Sequence, residues 1–205
     1  ALIFATLVAG ALAATVPPKE TPFAKNFQKE VKEQNLDPVS LPDFEFVLPW
    51  APTETVKFSK GKGEGLSEVV RPYGPCYKRN DELVCHVSFS GLTLTYQAVA
   101  PEKTFDVEVV TQHSLLELLL SKTADGKTEL KNVRYLALHL FVKKPVTFND
   151  DRKQTVLFDE KLKEKVVEVL KQEAVSKPFK EVLVKVLAQE PFPTEAGNTS
   201  FDVAE

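Results

Sequence analysis

The chain has two cysteines, Cys76 and Cys85, which are the first candidates for chemically active side chains. Eight residues separate them, and Asn80-Asp81 at the centre of that interval favours a turn. An even cysteine count in an oxidising compartment favours a disulfide. Two thiols at this spacing would need further ligands to hold a metal, so we predict a structural bridge that closes a β-hairpin and no metal site.

Nucleophilic hydrolysis would need a serine or cysteine beside a base and an acid that orients the base. The run Ser88-Phe89-Ser90-Gly91 lies inside an alternating strand pattern, whereas a nucleophile elbow sits at a strand-to-helix turn. His86, His113 and His139 lack neighbours at metal-ligand spacing and are predicted to pack at a sheet face or edge. The sequence therefore predicts that the protein is not an enzyme.

A glycine cluster, Gly61, Gly63 and Gly65, has the composition of a phosphate-binding loop. The P-loop lysine pattern is absent and no helix is predicted to follow, so a strand turn or β-bulge is favoured. The charges are nearly balanced, with 26 Lys+Arg against 29 Asp+Glu. This balance gives no electrostatic reason to expect nucleic acid as a partner.

The apolar run Ala1–Ala14 ends in small residues, as a secretory signal peptide does before its cleavage site. The run is shorter than the roughly 20 residues that span a bilayer. We therefore expect residues 1–14 to be part of a signal peptide, with a mature protein that starts near Thr15 and is secreted. The alternative is a buried N-terminal strand or helix. The sequon Asn198-Thr199-Ser200 then becomes a candidate glycosylation site.

The first predicted element of the mature chain is an amphipathic helix. Thr21 can cap it, Pro22 suits its first position, and Phe23, Phe27 and Val31 recur at four-residue spacing. A proline-punctuated connector over residues 36–53 follows.

Alternating apolar residues predict long antiparallel strands from there to about Val146. The alternation changes phase at Gly91 and again near His113, as at β-bulges that bend long strands. Asp125-Gly126 predicts a hairpin turn. The returning strand is apolar on both faces over Tyr135–Val142, so both of its sides are expected to be covered.

The C-terminal part predicts a long amphipathic helix from Phe158 to Leu170. Pro178 either kinks this helix near Ser176-Lys177 or starts a separate short helix that packs outside the sheet. Residues 190–205 are predicted to be a flexible tail. A bent sheet that faces such a helix can leave a slot between their two apolar surfaces. The chain has 14 phenylalanines, which suit either a large core or an apolar cavity.

The segment Leu36-Asp37-Pro38-Val39-Ser40-Leu41-Pro42 after an amphipathic helix resembles the connector of mite group 7 allergens and of takeout and juvenile-hormone-binding proteins. The similarity extends over residues 22–189. It continues with a predicted strand start at Gly65-Leu66, then a long meander of strands, and then a C-terminal helix. These families belong to the TULIP superfamily, which also holds the bactericidal/permeability-increasing proteins. A disulfide within the sheet favours a relative of group 7 over a takeout protein.

The resemblance implies an α+β fold in which a highly curved antiparallel sheet wraps around a long C-terminal helix. Residues 15–189 would form one lipid-binding domain. The expected function is a secreted, extracellular carrier whose cavity binds a fatty acid, sterol, terpenoid or carotenoid, with no cofactor beyond such a bound lipid or carotenoid. The alternatives are recognition of lipopolysaccharide or lipid assemblies, and a structural or storage role; a homo- or hetero-oligomer stays open.

Twelve apolar residues are the candidate ligand-binding set. They are Val87, Phe89, Leu92, Leu94, Tyr96, Val107, Leu118, Leu138, Phe158, Leu162, Val166 and Phe179.

Overall fold

A computed structural model describes residues 21–148, 151–190 and 192. The predicted signal peptide, the sequon at Asn198 and nearly all of the predicted tail lie outside these residues. Among the described residues, no helix is long and apolar enough to cross a membrane.

The first element is helix α1 (Pro22–Glu33). It begins at the predicted residue, and its apolar stripe is buried as predicted. The Thr21 hydroxyl accepts a hydrogen bond from the Ala24 N–H at 3.2 Å, which satisfies one of the unpaired donors of the first turn. The aromatic and aliphatic stripe, Phe23, Phe27 and Val31, is fully buried. The helix therefore lies with its apolar face against the rest of the molecule, where it contacts the C-terminal helix.

Within the described residues, nine strands form one antiparallel sheet. They are β1 (Val39–Leu41), β2 (Phe44–Leu48), β3 (Ala51–Glu64), β4 (Arg71–Pro72), β5 (Tyr77–Arg79), β6 (Glu82–Ser88), β7 (Thr93–Val99), β8 (Thr104–Lys122) and β9 (Thr128–Val142). Strands β7 and β6 lie one after the other along one edge of β8, and β9 pairs with the other edge. The sheet stays open, which confirms the α+β fold class.

The sheet bends where two predicted phase changes meet. Gly91 lies between β6 and β7 with φ 105°, and His113 interrupts β8 with φ 45°. The pairing of β8 with β9 shifts register between Gln112 and Leu115. The two irregularities lie side by side, because the Gly91 N–H donates to the Thr111 carbonyl at 2.7 Å. Paired bulges of this kind bend a long sheet locally.

Two C-terminal helices, α3 (Arg152–Lys171) and α4 (Glu173–Gln189), follow the sheet, and neither a kink nor a helix start lies at Pro178. The break falls at Gln172, whose extended backbone (φ −63°, ψ 147°) separates them, and the predicted kink at Ser176-Lys177 is wrong. Pro178 lies inside α4. Proline removes its own N–H and its ring crowds the carbonyl four residues earlier, yet α4 continues past it.

Two further predictions are corrected. Gly65-Leu66 is not a strand start: Gly65, with φ 89°, caps the short helix α2 (Leu66–Val69). The glycine cluster is therefore followed by one turn of helix, although Gly61 does lie at a register shift of β3. Strand β9 is not covered on both sides, because Leu136 and Phe141 are 44% and 48% exposed.

The core is rich in aromatic contacts around α3. Phe158 is fully buried and its ring lies 5.5 Å from Phe46, 5.1 Å from Phe148 and 6.0 Å from Phe105. Burial of one such side chain stabilises the fold by about 1.5–3 kcal/mol. These contacts fix α3 against the concave face of the sheet.

The convex face carries one buried carboxylate. Glu117 in β8 is 5% exposed and lies 2.8 Å from the Arg134 guanidinium, 3.5 Å from Arg79 and 3.9 Å from the His86 imidazole. These partners come from β9, β5 and β6 respectively. The cluster therefore ties strands across the sheet, as a buried charge must be paired to be tolerated.

The predicted disulfide between Cys76 and Cys85 is present. Strands β5 and β6 pair from Tyr77 with Val84 to Arg79 with Glu82, so the bridge closes the open end of this hairpin. Both cysteines are buried.

Replacement of both Cys76 and Cys85 by alanine is expected to lower the free energy of unfolding by about 2–3 kcal/mol, because the bridge restricts a short loop in the unfolded chain. Chemical denaturation of the oxidised wild type and the double variant measures this difference. A Ser40→Ala, Thr53→Ala variant, with both changes at exposed positions, controls for two surface substitutions. An unchanged free energy of unfolding would contradict a stabilising role for the bridge.

Candidate functional site

An apolar cavity lies between the concave face of the sheet and the junction of α3 with α4. Its walls come from the connector after α1, from α2, from strands on both sides of the bend and from the two C-terminal helices. The lining residues are Leu36, Val39, Leu66, Phe89, Leu92, Leu116, Tyr135, Leu170, Val175, Ser176, Pro178 and Phe179.

The cavity is narrow in this conformation. The space between the lining atoms, counting its open mouth, is about 530 Å³, but the part wide enough for the centres of water molecules is about 50 Å³. The hydroxyls of Tyr135 and Ser176 are the polar side-chain groups of the lining. The site therefore offers apolar contact rather than a set of charged or hydrogen-bonding groups.

The bend in the sheet builds the floor of the cavity. Phe89 and Leu92 are three residues apart, so in a regular strand their side chains would point to opposite faces. The bulge at Gly91 brings both to the concave face, where both line the cavity. The buried Thr111 hydroxyl fixes this geometry, because it donates to the Phe89 carbonyl at 2.7 Å and accepts from the Leu92 N–H at 3.0 Å.

The roof of the cavity is the helix junction. The Tyr135 hydroxyl donates to the Leu170 carbonyl at 3.0 Å, which ties the end of α3 to β9. Burial raises the pKa of Tyr135, so this hydroxyl keeps its proton throughout the neutral range. Phe179, from α4, packs edge-on against Phe27 of α1 at 5.7 Å between ring centroids.

One side wall depends on a carboxylate. The Asp37 carboxylate accepts hydrogen bonds from the Gly65 N–H (2.8 Å), the Ser67 N–H (2.8 Å) and the Ser67 hydroxyl (2.6 Å). It therefore caps helix α2 from a distant part of the chain and fixes Leu36 next to Leu66. The two segments that carried the family resemblance are thus in direct contact.

Opposing effects act on the pKa of Asp37. Partial burial alone would raise it, but the hydrogen bonds from the Ser67 side chain and from the N–H groups of Ser67, Gly65 and Leu66 bring it below its ordinary value of 3.8. The ionised form is the one that these donors stabilise. The wall is therefore held by a charged group at neutral pH.

Three of the twelve predicted ligand-binding residues, Phe89, Leu92 and Phe179, line this cavity. Eight others are fully buried core residues elsewhere between the sheet and the helices: Val87, Leu94, Tyr96, Val107, Leu118, Phe158, Leu162 and Val166. Leu138 is partly buried on β9 and packs against the core. Whether any of the twelve contacts a ligand stays a prediction.

Sequence reasoning missed the walls that come from the connector, from α2 and from the start of α4. Leu36 and Val39 belong to the quoted connector motif, but their position beside α2 depends on Asp37. Ser176 was assigned to a possible kink, and Val175 was not singled out. A signal for Tyr135 did exist, since a tyrosine in an otherwise apolar run needs a hydrogen-bond partner for its hydroxyl when it is buried.

The serines that were considered as nucleophiles form hydrogen bonds within the sheet. The hydroxyl of Ser88 donates to that of Ser90 at 3.2 Å, and the latter accepts from the Ser114 N–H at 3.0 Å. His113 and His139 are exposed on β8 and β9. In the part of the chain that the structure describes, no group of three His, Cys, Asp or Glu residues could hold a metal ion.

The chain thus has an α+β fold in which a bent open antiparallel sheet packs on C-terminal helices, with an apolar cavity between them. No protein-family model matches the sequence, and no curated protein matches it. The fold resembles a solved structure of lipopolysaccharide binding protein, with a TM-score of 0.51 and 15% identity over 80% of this chain. A structure of Takeout 1 from Epiphyas postvittana matches with a TM-score of 0.42 and 16% identity, covering 86% of this chain and 94% of that one.

The resemblance to the TULIP superfamily is thus confirmed at the level of the fold. The chain spans 37% of the length of the lipopolysaccharide binding protein that it matches. At this identity the likeness establishes architecture, and the ligand has to be argued from the cavity itself.

Replacement of Asp37 by asparagine is expected to lower the free energy of unfolding by about 1–3 kcal/mol at pH 7, because a charge-assisted cap is lost. The pKa of Asp37 is lower in the folded protein than in the unfolded chain. Its contribution to stability is therefore complete at pH values above the unfolded-state pKa and is lost as the pH falls through the folded-state pKa. The difference between variant and wild type should therefore shrink below the ordinary pKa of 3.8.

Denaturant titrations at several pH values measure this difference, and the exposed Asp106→Asn is the matched control. A constant difference between wild type and Asp37→Asn at all pH values would contradict the role of the carboxylate charge.

Proposed function

We propose that the protein is a secreted, non-enzymatic carrier that binds an apolar small molecule in the cavity beneath the α3–α4 junction. The ligand classes that we propose are fatty acids, sterols, terpenoids and carotenoids. The observation that carries the proposal is the lining itself, which contains aliphatic and aromatic side chains and no carboxylate, amine, guanidinium or imidazole. Such a surface gains free energy by excluding water from an apolar ligand.

Loading requires the cavity to widen. Its lining comes from α4 through Val175 and Phe179 and from α3 through Leu170, and the break at Gln172 separates the two helices. A rotation of the first turns of α4 about Gln172 would move Val175 and Phe179 away from Phe89. Leu170 would stay in place, because Tyr135 holds it.

Two further observations support the proposal. The disulfide between Cys76 and Cys85 suits an oxidising extracellular environment. The fold resembles that of a protein named for lipopolysaccharide binding. Neither observation identifies the ligand of this chain, which the experiment below addresses.

Replacement of Phe179 by serine is expected to weaken binding of a fluorescent fatty-acid analogue about tenfold, because one aromatic contact with the ligand is lost. The matched control is Val184→Ser, which also replaces an apolar side chain by serine but at an exposed position of α4. It should leave the affinity for the fatty-acid analogue unchanged. Val175→Ser tests the same wall if Phe179→Ser destabilises the fold.

Native mass spectrometry of the protein purified from its source tissue tests the proposal without a chosen ligand. Co-purification of an apolar molecule supports it. Protein that carries no such molecule and does not bind the analogue would contradict it.

A second candidate function is recognition of a lipid surface. Tyr73 and Tyr77, on either side of Cys76, are 57% and 44% exposed. Arg71 in β4 and Lys78 in β5 are exposed nearby, and residues 71–80 contain no acidic residue. Exposed tyrosines beside basic residues suit the interface of an anionic bilayer.

Replacement of Tyr73 by serine is expected to weaken binding to phosphatidylserine vesicles at low salt several-fold, if this candidate function is correct. Val47→Ser, an exposed change on β2, is the control. Sedimentation with vesicles measures the bound fraction. If neither the wild type nor the variant binds anionic vesicles, the second function is ruled out and the carrier proposal is unaffected.

A further inference from the structure

The cavity beneath the α3–α4 junction has an uncharged lining. Of the twelve residues that line it, two have polar side chains, Tyr135 and Ser176, and each of these carries a neutral hydroxyl. The lined space includes the open mouth, so within the described part of the chain the mouth also lacks a lining cation or carboxylate. A ligand that enters therefore meets no side chain of opposite charge along the wall.

Other hollows of the described surface differ in this respect. The one beside the first turn of α3 has Glu54 and Lys103 in its lining. The groove across β3, β7 and β8 has Lys60 and Lys144 in its lining, together with acidic side chains. The absence of charge thus distinguishes the cavity from these hollows, which are lined by both signs of charge.

Three lysines are neighbours of the lining residues in sequence but do not line the cavity. Lys171 follows the last lining residue of α3, and Lys177 and Lys180 alternate with lining residues of α4. All three side chains are exposed. Exposed ammonium groups are well hydrated and attract an anion weakly at physiological salt. They therefore do not replace a cation inside the cavity.

The charge that belongs to the structure of the wall is negative. Asp37 lies in the same connector as the lining residues Leu36 and Val39, and its carboxylate caps α2. Its hydrogen bonds hold the pKa of this carboxyl below the ordinary value of 3.8, so it is ionised at neutral pH. A second carboxylate in the cavity would gain no attraction from this wall.

The charge of a ligand's head group therefore determines the cost of its transfer from water. An ionised carboxylate loses its hydration, and no group of the lining compensates the loss. A hydroxyl or ester loses much less. The Ser176 hydroxyl also makes no hydrogen bond to another described residue, so it can donate to or accept from a neutral head group.

We propose that this cavity selects uncharged lipids over lipids that carry an ionised carboxylate. The inference rests on the proposed carrier function and narrows its ligand class. Sterols, terpenoids, carotenoids and fatty alcohols or esters are then the preferred ligands, and a fatty acid binds mainly in its protonated form.

Decanol, methyl decanoate and decanoate have the same ten-carbon chain and differ at the head group, so they test this selectivity. Displacement of an uncharged fluorescent fatty-alcohol analogue from the full chain measures the affinity for each. At pH 7, decanol and methyl decanoate are expected to bind about tenfold or more tightly than decanoate. Phe179→Ser should weaken decanol and methyl decanoate alike, which locates both in this cavity.

Acidification tests the same selectivity without a change in the protein sequence. A carboxyl group of ordinary pKa, about 4–5, becomes largely protonated as the pH falls from 7 to about 4.5. The affinity for decanoic acid should then rise about tenfold or more, whereas that for decanol should stay constant. The pKa of Asp37 lies below 3.8, so the wall keeps its charged cap over this range.

Lys177→Gln tests whether an exposed lysine captures an anionic head group at the mouth, and Lys25→Gln, exposed on α1, is the matched control. Both variants should keep the preference of the wild type. Equal affinities for decanol and decanoate at pH 7, or tighter binding of decanoate that Lys177→Gln removes, would overturn the inference and leave the carrier function intact. Failure of all three compounds and of the fluorescent analogue to bind would instead refute the carrier function, and the inference with it.

Discussion

The hydrogen bonds of Thr111 hold the bend on which the cavity depends. The Thr111 side chain and backbone connect the segment Phe89–Leu92 to β8 while Gly91 adopts a backbone conformation that suits glycine. Without this clamp, β6 and β7 would continue in phase, and Phe89 and Leu92 would face opposite sides of the sheet. With it, two long strands curve around the helices, and both side chains reach the same space.

A second constraint acts across the chain. The Asp37 carboxylate binds the amino end of α2, so a residue of the connector determines where a helix 28 residues later begins. The same contact joins Leu36, Leu66 and Val39 into one wall of the cavity. At the other wall, the bond from Tyr135 to Leu170 ties α3 to β9, and α4 packs on α1 and β9. The cavity therefore has its floor in the bend of the sheet and its roof in the helix junction.

Much of the fold could be predicted because its signals are local. The stripe of α1, the disulfide hairpin, the phase changes at Gly91 and His113 and the stripe of α3 each arise from spacing within one element, and the structure has them all. The break between the C-terminal helices was placed wrongly, because Pro178 gave a strong local signal while Gln172 gave none. A residue such as Gln172 leaves the helical conformation for tertiary reasons: the Tyr135 bond and the packing of α4 on α1 fix each helix separately.

The sequence by itself determined the class of architecture, since apolar periodicity of two or about 3.6 residues specifies which face of each strand and helix must be buried. It also determined where the sheet bends, because a change of phase is visible in the order of residues. The tertiary structure decided which buried residues line a cavity and which fill the core. Leu94 and Leu92 have the same chemistry and the same face, yet Leu94 packs in the core while Leu92 borders the cavity. The difference depends on which helix residues lie opposite each leucine and how closely they approach it. This distance is set by packing between elements, and no pattern within one element predicts it.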